Sequence, residues 1–141
     1  MSIRVILADH SKVMQREFRD LLRQYPEIEL VAVANDFAQM IQLVEDLKPD
    51  VIVLEPRMRD AAAFTPEHVK TRLNGCASRI LVVSLWSDPD SLSLANRFGA
   101  FTLLRKVNLY DELIPTIMQV ALTVEQRDEG VLLRHKSNPD H

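Results

Sequence analysis

The chain of 141 residues is 47% hydrophobic and 26% charged, with a formal net charge of −3. This composition is ordinary for one globular domain, and the acidic balance gives no basic footprint for nucleic acid. No apolar stretch approaches the ~20 residues that span a bilayer, and the first eight residues lack the pattern of a signal peptide. Since Cys76 is the one cysteine, an internal disulfide and a cysteine zinc site are excluded. We therefore expect a cytoplasmic protein without nucleic-acid or membrane partners.

Five short runs rich in Val, Ile and Leu alternate with amphipathic segments along the chain. The runs cover about residues 3–8, 29–34, 51–55, 80–85 and 101–104. Their near-continuous apolarity is typical of strands that are covered on both faces. Strands separated by helices must pair in parallel through right-handed crossovers. The alternation thus predicts an α/β fold with a central parallel sheet.

Apolar stripes and capping residues predict the helices between these strands. One stripe comprises Phe37, Met40, Ile41, Val44 and Leu47, and an earlier one comprises Val13, Met14, Phe18, Leu21 and Leu22. Thr65 and Asp88 each precede a proline, as an N-cap precedes proline at the first helical position. A last helix is expected over about 109–125, where Pro115 would set a late start or a kink. The domain is expected to cover 1–125, and the polar segment 126–141 to form a flexible tail.

Four chemically active side chains stand at the ends of predicted strands. These are Asp9, Glu55, Ser84 and Lys106, in the runs IRVILAD, VIVLE, ILVVS and FTLLRK. In an open parallel sheet, ligands bind at the carboxyl ends of the strands. The sequence therefore predicts a site there, built from two carboxylates, a hydroxyl and an ammonium group.

With these residues in place, the chain resembles the receiver domains of two-component response regulators. The resemblance rests on IRVILADH, YPEIELVAVAND, LKPDVIVLEPRM, ILVVSLWSDPD and GAFTLLRKV, in that order over about residues 2–125. It implies a flavodoxin-like five-stranded parallel sheet in the order 2-1-3-4-5, flanked by five helices. It also implies a phosphorelay in which a histidine kinase phosphorylates an aspartate with the help of Mg²⁺, and the change passes to protein partners.

The acidic part of the family site is altered in this chain. Asp9 matches the first of the two paired acidic residues, but His10 stands where the second acid, the principal metal ligand, is expected. Glu55 stands at the phospho-acceptor position, where the family has aspartate. Because Mg²⁺ prefers carboxylate oxygens to imidazole, we expect its binding to Asp9 and Glu55 to be weak or lost. The extra methylene of Glu55 occupies space that the phosphoryl group needs, so phosphorylation is not expected.

The residues that sense the phosphoryl group in the family are mostly retained. Ser84 matches the hydroxyl residue that turns towards the phosphoryl group, and Lys106 matches the lysine that pairs with it. Leu103 replaces the aromatic residue that often turns inward on activation. We expect the carboxylate of Glu55 to pair with Lys106, either as a built-in phosphate mimic or as a strand-end acid without a signalling role. The sequence does not decide whether such a pair favours the active or the inactive state.

For other residues near the site, the sequence allows both a functional and a purely structural interpretation. A transition-metal site could use Asp9, His10 and Glu55, although a solvent-facing histidine at a helix start fits His10 better. Trp86 could anchor a partner or pack against its own loop. Arg57 and Arg59 are expected to be solvated rather than to bind an anion.

The leading hypothesis is an atypical receiver domain that is not an enzyme and acts through protein contacts without phosphorylation. The resemblance assigns these contacts to the face formed by the fourth helix, fifth strand and fifth helix, where such domains often form homodimers; a histidine kinase remains a candidate partner. One alternative is a receiver phosphorylated at Glu55 or Asp60. Another is a flavodoxin-like domain that binds a small molecule or metal, but the segment ADHSKVM after the first strand has no glycine to wrap a pyrophosphate.

Overall fold

A computed structural model describes residues 2–85 and 88–125, with the side chains of 123–125 left aside. The strands form one parallel sheet in the order β2-β1-β3-β4-β5. They are β1 (Ile3–Ala8), β2 (Ile28–Ala34), β3 (Val51–Leu54), β4 (Arg79–Ser84) and β5 (Thr102–Arg105). The helices are α1 (Lys12–Leu22), α2 (Phe37–Leu47), α3 (Pro66–Arg72), α4 (Pro89–Phe98) and α5 (Leu109–Glu125), with a short 3₁₀ turn at Lys106–Asn108. The predicted flavodoxin-like fold and its strand order are confirmed, whereas Trp86 and the predicted tail lie outside the described residues.

The sheet separates two apolar layers, because alternate side chains of each strand point to opposite faces. One layer contains the side chains of α1 and α5, and strand residues such as Leu7, Val53 and Leu104 point into it. The other contains those of α2, α3 and α4, and receives Leu54 and Val82. Both layers are closely packed, so the ends of the strands are held in fixed positions relative to one another.

Side-chain caps fix where the helices begin. Thr65 and Asp88 accept hydrogen bonds from the third amide beyond them, as predicted, and the following prolines occupy the first helical turn. Asp36 caps α2 in the same way, and the oxygen of Ser11 caps α1. Gly99 ends α4 in the left-handed conformation with φ of 75°, in which glycine commonly terminates a helix.

One local prediction is wrong. Val13 is 61% exposed, and Gln15 is buried in the first turn of α1 instead, where its amide donates to the main-chain oxygen of Asp9 at 2.6 Å. A polar group whose hydrogen bonds are satisfied can replace an apolar one at such a position.

The last helix has the predicted range, from Leu109 to Glu125, and continues through Pro115. Of the two effects expected of the proline, the late start does not occur, because the buried inner face of α5 holds the helix against the sheet.

Across the described residues, no helix combines the length and the apolarity that crossing a bilayer requires.

An exposed ion pair between α3 and α4 leads to a first testable prediction. Arg97 approaches Glu67 through two nitrogens, Nε at 2.6 Å and Nη2 at 2.9 Å. The hydrogen bond from Arg97 lowers the pKa of Glu67 from 4.5 to about 2. A carboxyl group whose pKa is lowered by folding stabilises the fold at pH values above its ordinary pKa. This contribution to stability is lost as the pH falls through about 2. Side-chain NMR titration should show this low pKa in the wild type and its return towards 4.5 in Arg97→Gln.

The matched control is Arg72→Gln, which removes the other exposed pair on α3, with Glu45 at 3.3 Å. It should leave the Glu67 titration unchanged. A wild-type Glu67 that titrates near 4.5 would show that the contact with Arg97 does not persist in solution.

Candidate functional site

The main chain brings the ends of β1 and β3 side by side. Glu55 N–H donates to Ala8 O at 2.9 Å, and Asp9 N–H donates to Ala34 O at 3.0 Å. Both acids therefore stand one residue beyond a paired strand, at the carboxyl edge of the sheet. This is where the strand pattern predicts them to lie.

The alternation of side chains decides which of the edge residues meet. Three of the edge residues lie two positions after a residue that points into the layer formed by α1 and α5. Asp9 follows Leu7, Glu55 follows Val53, and Lys106 follows Leu104. Ser84 follows Val82, which points into the opposite layer. The two acids and the lysine thus converge on one side of the edge, and the hydroxyl group lies towards α4.

Lys106 holds the two carboxylates together. Its Nζ lies 2.9 Å from Glu55 Oε1 and 3.4 Å from Asp9 Oδ2. The exposed fractions of these side chains are 14% for Lys106, 9% for Glu55 and 3% for Asp9. At this depth two neighbouring carboxylates need a cation, because an uncompensated buried charge is strongly destabilising.

The other oxygen of each carboxylate accepts a main-chain hydrogen bond. Ser11 N–H donates to Asp9 Oδ1 at 2.8 Å, and Arg57 N–H donates to Glu55 Oε2 at 2.8 Å. Of the four carboxylate oxygens, two accept from amides and two form ion pairs with Lys106. Charge-assisted bonds of this kind are the strong ones in proteins, so the group is internally satisfied.

Arg57 was expected to be solvated, and it is exposed, but its guanidinium also bonds to the site, which the sequence analysis did not predict. Its Nη1 donates to Ser84 Oγ at 3.1 Å, and its Nη2 donates to Ser91 Oγ in the first turn of α4 at 3.0 Å. Ser91 in turn donates through its main chain to Asp88 Oδ1 at 2.9 Å. The hydrogen bonds from Ser91, and then the charge of Arg57, hold the pKa of the Asp88 carboxyl below its ordinary value. No local pattern identifies such an arginine, since its partners come from β4 and α4.

The remaining predicted site residues lie at the margin of this group. His10 is partly exposed at the start of the loop before α1, and among the described residues its side chain forms no hydrogen bond or ion pair. Leu103 is partly exposed on β5 and packs against the layer formed by α2, α3 and α4. Trp86 follows the fourth strand, outside the described part of the chain.

The carboxylate oxygens at this edge, which a divalent cation would use, have partners within the protein. Mg²⁺ needs several free oxygens at short range in octahedral geometry, but the oxygens of Asp9 and Glu55 are bonded to an ammonium group and to amides. His10 stands next to Asp9 with an imidazole in place of a third carboxylate. Within residues 2–85 and 88–125 there is no group of three or more His, Cys, Asp or Glu side chains arranged to hold a metal ion.

Asp60, the alternative acceptor, is bonded elsewhere. Its two carboxylate oxygens accept hydrogen bonds from Phe37 N–H at 2.9 Å and Ala38 N–H at 3.1 Å. These are unpaired amides at the start of α2, where a negative charge also interacts favourably with the helix dipole. The position of Asp60 is thus explained by its attachment of the loop after β3 to α2.

The sequence of this chain is similar to parts of several characterised proteins. A protein-glutamate methylesterase/protein-glutamine glutaminase of Geobacter sulfurreducens is 29% identical over 104 residues, which cover 74% of this chain and 28% of that protein. The transcriptional regulatory protein PdtaR of Mycobacterium tuberculosis is 28% identical over 116 residues, which cover 81% of this chain and 54% of that protein. The chain therefore spans between about a quarter and about half of the length of these relatives. No family model matches the sequence.

Solved structures show the same architecture. The response regulator domain of Thermotoga maritima CheB superposes with a TM-score of 0.73 at 23% identity, covering 86% of this chain and 97% of that domain. The signal receiver domain of the putative response regulator NarL from Mycobacterium tuberculosis gives a TM-score of 0.75 at 22% identity, covering 85% and 96%. Together with the strand order, these matches show that the chain has the fold of response-regulator receiver domains, which confirms the predicted resemblance in fold.

Proposed function

We propose that this domain is an atypical receiver of two-component signalling that acts through protein contacts and is not phosphorylated. The supporting observation is the state of the acceptor position: Glu55 is bonded through Oε1 to Lys106 at 2.9 Å and through Oε2 to the Arg57 amide at 2.8 Å. The family resemblance assigns Lys106 to the phosphoryl group. In this chain the glutamate carboxylate supplies the anion.

Phosphoryl transfer to Glu55 is disfavoured by the same contacts. The attacking oxygen must approach the phosphorus in line while a cation neutralises the phosphoryl oxygens. Both Glu55 oxygens are already engaged, and Lys106 is shared with Asp9. Phosphorylation would require these bonds to break before any new ones form.

Loss of Mg²⁺ binding is the second part of the proposal. His10 stands where the family has its principal metal ligand, and the oxygens of Asp9 are taken by Ser11 and Lys106. The domain then needs no cofactor, and its signalling does not depend on a divalent cation. Asp60 is a poor substitute acceptor because its oxygens hold the start of α2.

The proposed output surface is the face formed by α4, β5 and α5. On α4, Leu92 is 47% exposed. On β5, Leu103 is partly exposed. The choice of this face rests on the family resemblance, because single exposed apolar side chains are common on protein surfaces. The partners proposed for this face are proteins, either a second copy of the chain or another signalling component such as a histidine kinase, in the cytoplasm.

Titration with Mg²⁺ and beryllofluoride tests the proposal at the acceptor position. The wild type should show no saturable change in the amide resonances of Glu55, Ser84 and Lys106, because their partners are already supplied by the protein. Glu55→Asp alone should not restore tight Mg²⁺ binding, since His10 is still unsuitable as a ligand. The double variant His10→Asp/Glu55→Asp is the matched positive control. It should bind Mg²⁺ more tightly than the wild type and more tightly than Glu55→Asp.

Two outcomes would overturn the proposal. Saturable wild-type binding with shifts around Glu55, Ser84 and Lys106 would mean that the phosphorylation switch survives. Strong Mg²⁺-dependent phosphorylation of Glu55→Asp by acetyl phosphate would mean that His10 does not impair the metal site.

A second prediction concerns the stability supplied by Lys106. Lys106→Met leaves the carboxylates of Asp9 and Glu55 buried next to each other without a cation, so we expect the free energy of unfolding to fall by about 3 kcal/mol. Urea denaturation measures this change. The control is Arg105→Met, which removes the exposed neighbouring cation and should change stability by less than about 0.5 kcal/mol. Equal effects of the two substitutions would contradict a structural role for the Lys106 pair.

A further inference from the structure

Beyond the acceptor position, we propose that Arg57 is a positioning residue that fastens the start of α4 to the loop after β3. It does so by bridging Ser84 on β4 and Ser91 on α4. Through this bridge Arg57 fixes the first turn of α4, which belongs to the proposed output surface, while Phe98 and the Arg97–Glu67 pair hold the rest of the helix. The consequence for signalling rests on the proposed function, whereas the bridge itself can be tested independently of it.

Arg57 extends from a firmly held segment of main chain. Its own N–H donates to Glu55 at 2.8 Å, and Met58, the next residue, is only 4% exposed in the layer formed by α2, α3 and α4. Further along the same loop, Asp60 is bonded to two amides of α2. Because the loop is held on both sides of Arg57, its main chain has a fixed position. The side chain can therefore hold the start of α4 in a defined place relative to this loop.

The two hydroxyl groups that receive the guanidinium are fully buried. Ser84 and Ser91 both have 0% exposure, and they lie 3.1 and 3.0 Å from Nη1 and Nη2. Hydrogen bonds from a charged donor to buried groups contribute more than neutral bonds at the surface. The planar guanidinium holds its nitrogens in a rigid fork, which a lysine side chain cannot reproduce.

The bridge continues into the cap of α4. Ser91 donates its main-chain N–H to Asp88 at 2.9 Å, and Asp88 is the N-cap of the helix. Hydrogen bonds thus link Arg57 to Ser91 and Ser91 to Asp88, at the first turn of α4. Since Ser84 is the residue that the family resemblance assigns to phosphoryl sensing, Arg57 engages the sensor and the helix with one side chain.

Hydrogen–deuterium exchange on the full chain tests the bridge. In Arg57→Ala, the amides in the first turns of α4, including Ser91 and Leu92, should exchange about tenfold faster than in the wild type, because two bonds from a charged donor are lost. The control Arg59→Ala removes an exposed arginine of the same loop and should leave α4 protection unchanged. As a second readout, the pKa of Asp88 should rise towards its ordinary value in Arg57→Ala but not in Arg59→Ala.

Arg57→Lys separates bridging from charge. It keeps the positive charge but not the fork, so its α4 exchange should resemble that of Arg57→Ala. Wild-type protection in Arg57→Lys, or unchanged protection in Arg57→Ala, would overturn the inference. Beryllofluoride binding by the wild type would instead overturn the proposed function and leave the bridge intact.

Discussion

The structure of the carboxyl edge depends on the ion pair between Lys106 and the acids of β1 and β3. Two carboxylates, 3% and 9% exposed, are placed next to each other by the strand register. Without the ammonium group at 2.9 and 3.4 Å they would repel each other in a site with little water. The Lys106 ammonium group is therefore the cation that compensates both carboxylates.

Under the proposed function, the Glu55 carboxylate takes the place of a phosphoryl group but differs from it in charge. A carboxylate carries one negative charge, whereas a phosphoryl group carries about −1.5 to −2 and three acceptor oxygens. Glu55 pairs with Lys106 and with one amide through its two oxygens, and the guanidinium of Arg57 donates to Ser84 Oγ. Under the same proposal, input to the domain would come from partner binding, which shifts populations by differential affinity for its conformations.

The sequence predicts the sheet, its strand order and the meeting of Asp9, Glu55 and Lys106, because the periodicity of apolar residues fixes which side chains share an edge. The pairing of Glu55 with Lys106 follows from the same register. The partners of Arg57 could not be predicted, since Ser84 and Ser91 are separated from it by α3 and β4. Burial of Gln15 in place of Val13 was missed for a related reason: its hydrogen bond to the Asp9 main chain arises only in the folded protein.

The most direct test of this interpretation is the ion pair between Lys106 and Glu55 itself. Nitrogen-15 NMR of the lysine ammonium groups can detect the slow hydrogen exchange of a buried, paired ammonium group. The interpretation predicts that the Lys106 ammonium exchanges slowly in the protein without added ligands and faster in Glu55→Gln. A Lys106 ammonium that exchanges as fast in the wild type as that of exposed Lys48 would contradict it.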